Sequence, residues 1–274
     1  MRPSPPPPPD EGTRLGPLVT LTSDFGLTDS YVGEMKGAIL MRAGVSIVDI
    51  THDLRPGDVH AGAWTLRRIW TRFPAGTVHL CVVDPTVGSD RRAIAARAAE
   101  RWFVGPDNGL LGFLGHPSFG PLEIDEVRSL RPPPDPTGMA PTFHGRDLFA
   151  PAAAALATGG PDEALGEPLA PASLVPLDLT PPRRGPGGIT GTVVHVDRFG
   201  NLVTDIPVGW LAAEPRVRVG ATTLAGLSTS YADVLPGEPL LTRGSAETLE
   251  VSVRDGRADD TLGVSRGDAV VAAS

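Results

Sequence analysis

The chain has a single cysteine, Cys81, in 274 residues, which excludes an intrachain disulfide framework and fits a cytoplasmic setting. Cys81 lies inside the apolar run VHLCVVD (78–84), where a thiol is expected to be buried and inert rather than nucleophilic. No apolar run reaches the roughly 20 residues of a membrane-crossing helix, so no membrane partner is expected. The opening stretch MRPSPPPPPDEGTR has no apolar segment of the signal-peptide kind. Positive charge is also scarce: 24 Lys and Arg stand against 32 Asp and Glu, a net charge of −8. That argues against nucleic acid as a partner, because phosphate-backbone binders need a basic face. The glycine patterns GxGxxG and GxxxxGK[ST] are absent, as are HExxH and CxxC. Phosphate cradling and zinc binding are therefore unsupported, and no metal is expected.

Hydrophobic residues make up 41% of the chain, enough for a sizeable core. Pro5 to Pro9 predict a solvated polyproline tail, disordered over 1–16. From residue 17 to 180 the pattern alternates strand and helix. LVTLTSD (18–24), VSIVDIT (45–51) and TVHLCVVD (77–84) read as buried strands. A helix after the first carries Val32, Met35 and Ile39 at helical spacing, with Thr28 or Asp29 as cap. Asp58 caps a second helix whose face is Val59, Ala63, Leu66, Trp70 and Phe73. Residues 93–107 read as a hairpin, and 144–160 contains a further helix stopped by Gly159 and Gly160. The expected class is α/β: a doubly wound, mainly parallel sheet. PPRRGPGG (181–188) reads as a linker. Beyond it, 189–274 shows short β runs separated by turns and predicts a small all-β barrel domain.

The strand ends carry polar groups. Ser23 and Asp24 follow the first strand, Thr51 and His52 the second, Asp84 the third, and Asp107 and Asn108 a later one. Ligands of open α/β sheets bind beyond the carboxyl ends of strands. Any one aspartate after a strand is usually a turn or helix cap, so the joint pattern is what points to a site. Carboxylates such as Asp24 and Asp84 suit a ribose diol or a cation, and hence a nucleoside, including a positively charged one. His60, His79 and His116 read as structural, with His60 on the surface.

Five stretches then recur in one order: TSDFGLTDSYVGEMKG (22–37), VVDPTVGSDRR (82–92), GPDNGLL (105–111), TFHGRD (142–147) and DRFGNLVTDI (197–206). In these the chain resembles the S-adenosylmethionine (SAM) hydroxide adenosyltransferases, or SAM hydrolases, which are homologous to the fluorinases and chlorinases. The resemblance spans about 18–272. It implies a homotrimer whose sites lie between the large domain of one subunit and the small domain of the next. It implies attack of water or hydroxide on C5′ of SAM, giving adenosine and L-methionine without metal or cofactor. By position it implies a catalytic set of Asp84, Arg91 and His144, with Asp24 on the ribose hydroxyls. In the small domain it implies Asn201 reading adenine and Tyr231 beside it. Ser245, Glu250 and Val253 would line the nucleoside and methionine end, and Asp197 would face the methionine ammonium. Two departures stand out: Thr86 where the family commonly has glycine, and GSAET (244–248) in place of a glycine-rich turn.

The chemistry agrees with that set. Sulfonium leaves without a general acid, so the missing part is a nucleophile held in line behind C5′. Arg91 and His144 can orient a water and favour its hydroxide form, while Asp84 can hold the guanidinium, bind ribose or accept a proton. Three rival readings compete: a SAM-dependent halide adenosyltransferase, a non-catalytic SAM or nucleoside binder, and a metal-dependent hydrolase using Asp24, Asp84 and His144. Against the halide enzyme stand the retained Asp84, His144 and Gly145, and the short connection from Arg92 to Gly105.

Overall fold

The computed structural model describes residues 16–120, 122–132, 138–160 and 164–273; the polyproline segment read as a disordered tail therefore lies, up to residue 15, outside the described residues. The chain opens with β1 (Leu18–Ser23), α1 (Tyr31–Leu40), β2 (Ser46–Thr51), α2 (Val59–Ile69) and β3 (Val78–Val82). The hairpin β4 (Ala93–Ala98) and β5 (Arg101–Pro106) follows, then β6 (Ile124–Leu130), α3 (Ala150–Ala157) and β7 (Leu165–Pro168). These seven strands form one sheet in the order β2-β1-β3-β5-β4-β6-β7.

The sheet is mixed rather than mainly parallel. β1 pairs in parallel with β2 and β3, and β3 with β5. β4 pairs antiparallel with β5 and β6, and β6 with β7. The reversal begins at a two-residue turn, Ala99–Glu100, both left-handed at φ 48° and 60°. That is the twist a tight hairpin needs, here without a glycine to announce it.

Side chains alternate across the sheet, so both faces are buried. Leu80 and Val82 join Met35 and Ile39 of α1 and the alanines of α3 on one face. Cys81 and Val83 join Ala63, Trp64 and Leu66 of α2 on the other. Each fully buried aliphatic side chain contributes about 1.5–3 kcal/mol, so this layering fixes the strand ends firmly. Local signals fare unevenly. The Asp58 carboxylate caps α2 by accepting from the Ala61 amide at 2.9 Å. α1 begins later than expected, after Ser30, whose hydroxyl donates to Glu34 instead of capping the helix. On α2, Trp64 is buried in addition to Ala63 and Leu66, whereas Trp70 sits in a separate 3₁₀ turn.

The second half is an antiparallel sheet: β8 (Arg183–Gly185), β9 (Gly188–Val196), β10 (Leu202–Pro207), β11 (Arg216–Val219), β12 (Thr222–Ala225), β13 (Pro239–Arg243), β14 (Thr248–Val253) and β15 (Ala269–Ala272), with the short α4 (Ala258–Leu262). Its order β12-β11-β15-β9-β10-β14-β13 nearly closes, with a bridge from Ser228 to Thr242, giving a barrel-like form around its own core. Within the 181–188 stretch, β8 folds back on β9 as a hairpin. Among the described residues no helix is long and apolar enough to cross a membrane.

Candidate active site

β3 delivers Asp84 to a turn that passes through Gly88, at φ 81°, and returns as Arg91. The guanidinium meets the carboxylate through two nitrogens: Nε at 2.9 Å from Oδ2 and 3.1 Å from Oδ1, and Nη2 at 2.5 Å from Oδ2. The side chains of Arg91 and Asp84 are 7% and 4% exposed. This is not an exposed loop-stiffening pair of the kind worth about 0–1 kcal/mol. Burying two charges costs desolvation that their attraction only partly recovers, which favours a role in positioning over one in stability. The Thr86 hydroxyl donates to Asp84 Oδ1 at 3.3 Å, so this departure from the family pattern adds a contact to the acid.

His144 comes from a different element. It precedes a π-helical turn, Gly145–Phe149, that runs into α3. Gly145 fits closely there: a Cβ at this position would sit 3.2 Å from Met35 Sδ and 3.3 Å from the Phe25 ring, so those side chains would have to give way by a few tenths of an ångström. Arg91 Nη2 donates to His144 Nδ1 at 2.8 Å. Guanidinium only donates, so Nδ1 is an acceptor and Nε2 carries the ring hydrogen. Burial, and then the Arg91 charge, hold the imidazole below its ordinary value, which keeps it neutral at neutral pH. Asp84, Arg91 and His144 thus form one hydrogen-bonded chain ending in the His144 Nε2–H, which has no partner among the described residues.

Asp24, at the end of β1, is half-buried and accepts from the Gly57 amide at 2.7 Å. Burial raises its carboxyl and nearby Asp84 adds to that, against the Gly57 bond. Beside it in the chain, Phe25 belongs to a cluster of three aromatics to which the sequence assigns no role. Phe25, Tyr31 and Phe143 meet edge to face, with centroids 5.4–6.1 Å apart. Their sequence signal is their place in the stretches 22–37 and 142–147, with Phe25 next to Asp24 and Phe143 next to His144.

A second group gathers on the barrel. Asp197, in the β9–β10 turn, accepts from the Phe199 and Asn201 amides and from Asn201 Nδ2, each at 2.9 Å. The Tyr231 hydroxyl lies 3.4 Å from Asn201 Nδ2 and 3.4 Å from Glu250 Oε1. Burial, then Asp197, raises the Glu250 carboxyl. Two expected members lie apart. Val253 packs its side chain into the barrel core, leaving only its backbone for a ligand. Ser245 accepts from Arg68 Nη2 at 2.7 Å, in a cavity of about 580 Å³ with Trp64 and His195. In the GSAET turn, Glu247 takes the left-handed conformation, φ 62°, that a glycine would take more readily. Among the described residues no hydrogen bond joins the Asp84 group to the Asn201 group.

The later strand end, Asp107 and Asn108, is structural. Asp107 binds Arg92 and the Val175 amide, and Asn108 binds the Val83 carbonyl. His79 is buried against Thr20 and pushed down to about 3 by burial, with Arg101 adding to it. His116 bonds the Leu179 carbonyl. His60, read as a surface residue, is half-buried, and burial lowers its value. Burial, with Asp24 adding to it, pushes the Cys81 thiol up. Among the described residues no three His, Cys, Asp or Glu side chains cluster as a metal site requires.

Residues 19–166 match the family description "SAM hydroxide adenosyltransferase N-terminal domain", and 191–271 match "SAM hydroxide adenosyltransferase C-terminal domain". A protein of Thermus thermophilus called (R)-S-adenosyl-L-methionine hydrolase is 42% identical, covering 91% of this chain and 96% of its own. A fluorinase of an Actinoplanes species is 31% identical over 69% of this chain and 72% of its own. The crystal structure of an uncharacterized conserved protein from Thermotoga maritima superposes with a TM-score of 0.83 at 34% identity, covering 94% of this chain and all of the other.

Proposed function

The chain belongs to the SAM hydroxide adenosyltransferase family, and from that premise we propose that it hydrolyses SAM to adenosine and L-methionine. The observation that carries this is the chain from Asp84 through Arg91 to His144, next to Asp24. Water or hydroxide forms a bond to C5′ as the C5′–S bond breaks. The bonding pair passes to sulfur, which becomes the neutral thioether of methionine, and one proton from water is released. No residue has to protonate the leaving group.

The residues divide the remaining work. Asp84 fixes the guanidinium plane. His144 Nε2–H and the outer edge of Arg91 face the nucleophile, and the positive charge favours its hydroxide form. Asp24 takes the ribose hydroxyls, and Asn201, with Tyr231, takes adenine. Asp197, Glu250 and Ser245 serve the methionine end. The reaction as proposed draws on no metal or cofactor. The R configuration at sulfur in the Thermus relative's name is carried over as the substrate epimer.

We place the complete site between subunits of a homotrimer. Support comes from the lack of any hydrogen bond between the two groups among the described residues and from their apolar rims. Leu27 and Tyr31 beside the first are 72% and 47% exposed, and Phe199 and Tyr231 beside the second 73% and 46%. The retained Asp84 and His144 favour water over halide as nucleophile.

Turnover in oxygen-18 water tests the reaction, with each SAM epimer and with added chloride or fluoride. The expected product is adenosine labelled at the 5′-hydroxyl, formed from the R epimer whether or not halide is present. A halogenated nucleoside in its place, label in the amino-acid product, or binding without turnover overturns the reading.

A further inference from the structure

We infer that His52 is a positioning residue for Asp24, acting through Ser23 under a tautomer set by Asp49. The inference rests on the reading of Asp24 as the ribose ligand. Ser23 Oγ lies 2.7 Å from His52 Nδ1, and His52 Nε2 lies 3.1 Å from Asp49 Oδ1. The other Asp49 oxygen accepts from Lys36 Nζ at 2.6 Å. Ser23 and His52 are both buried. The chain thus runs from α1 through β2 to the end of β1, one residue before Asp24.

The donors can be assigned. Burial alone would raise the Asp49 carboxyl, but its bonds to Lys36 and His52 outweigh that and hold it below its ordinary value. As a carboxylate it only accepts, so His52 Nε2 donates. In the neutral ring Nδ1 is then the acceptor, and the Ser23 hydroxyl must point its hydrogen there. That turns the Ser23 lone pairs toward the Phe25 amide, 3.4 Å away. The His52 carbonyl accepts from the Gly26 amide at 2.8 Å, and Gly26 has φ 68°. One histidine therefore grips the Ser23–Gly26 loop at both ends, by its ring and by its backbone.

The strand pairing puts His52 in place. β1 and β2 run in register from Leu18 opposite Ser46 to Leu21 opposite Asp49, and then Thr22 pairs with Thr51, skipping Ile50. Such a bulge re-aims the residues that follow it and recurs beside active sites. Among the described residues the Asp24 carboxylate accepts one hydrogen bond, from the Gly57 amide, and a carboxylate so anchored needs its backbone held if it is to meet a diol squarely.

Asn and Gln substitutions separate this from simple filling of space. The Asn side-chain oxygen falls near the position of Nδ1, and the end of Gln near that of Nε2. His52→Asn is expected to keep adenosine affinity within about threefold and to restore what His52→Gln loses, about tenfold. In His52→Gln the loss appears in KM, with kcat at saturating SAM nearly unchanged. Calorimetry with adenosine, steady-state kinetics and melting temperatures are measured on all variants, with Asp24→Ala alongside. Equal affinities for the two His52 variants, or losses that merely follow melting temperature, overturn the positioning role alone. Unchanged adenosine affinity in Asp24→Ala overturns the ribose reading, and this inference with it.

Discussion

The two polar groups differ in how tightly they are built. The group beyond the carboxyl end of β3 in the first sheet is closed: Asp84, Arg91 and His144 share short hydrogen bonds and are held by β3, a glycine turn and a π-helical turn. The group on the barrel is half open. Asp197 and Asn201 bond firmly, but Tyr231 reaches its partners only at 3.4 Å and is 46% exposed. A closed, charged group suits chemistry that needs donors fixed before the substrate arrives. An open, amphipathic one suits recognition completed by something that covers it. The difference separates where the reaction is driven from where the nucleoside is read.

The sharpest break of that division is Arg91→Ala. If the first group drives the reaction, turnover falls by about 10²–10³, the usual cost of losing one transition-state donor, while SAM affinity changes little. Stopped turnover with an isotherm near wild type supports the division. A variant whose affinity falls as far as its turnover shows that Arg91 holds the ground state, and the two groups then do the same work.

Next in size is Asn201→Ala. Removing a buried polar partner from a base edge costs about 1–3 kcal/mol, so adenosine binding should weaken by roughly tenfold or more, with turnover at saturation retained. Paired with Arg91→Ala, the same variant tests assembly. If Arg91 of one subunit serves the Asn201 of its neighbour, co-expressed mixtures regain activity, because about a quarter of the sites in a random trimer then have both wild-type halves. Measured at low SAM, a mixture no more active than the sum of its parts places each site within one chain.

The closed group was legible in part. Asp84 and Arg91 are seven residues apart, at a strand end and across a glycine turn, and such short-range geometry is written locally. His144 is 53 residues from Arg91; nothing in spacing alone joins them, and the resemblance of TFHGRD supplied the link. The strands, the Asp58 cap and the β4–β5 hairpin were readable because periodicity and capping are local. The mixed pairing was not, since strand direction depends on where β6 and β7 add, after the β4–β5 hairpin has reversed the chain. The surroundings of Ser245 and Val253 were not readable for a similar reason. Strand alternation sends Val253 into the barrel core, and Ser245 meets Arg68, a residue 177 positions away.

The smallest effect sharpens the comparison from a buried carboxylate on each side. Asp84 is matched by a guanidinium. Asp205 in β10 is fully buried, accepts from the Thr192 amide at 2.7 Å through Oδ1, and has no partner for Oδ2 among the described residues. Burial therefore raises its carboxyl from 3.8 to about 6, against that amide bond. Below 3.8 Asp205 is protonated in both the folded and the unfolded chain. Between 3.8 and about 6 the folded chain keeps a proton that the unfolded chain has released, so stability falls as pH rises through that window and is level above it. At about 1.4 kcal/mol per pH unit, ionised Asp205 costs up to about 3 kcal/mol at neutral pH. Asp205→Asn keeps an acceptor for the Thr192 amide and removes the charge. It should melt several degrees higher at pH 7.5, at roughly 2–4 °C per kcal/mol, and lose that advantage as pH is lowered toward 4, with turnover unchanged. A gain that persists at pH 4 would show that the amide group, not the missing charge, stabilises the barrel. A loss of turnover would draw Asp205 into the binding group and blur the line between the two halves.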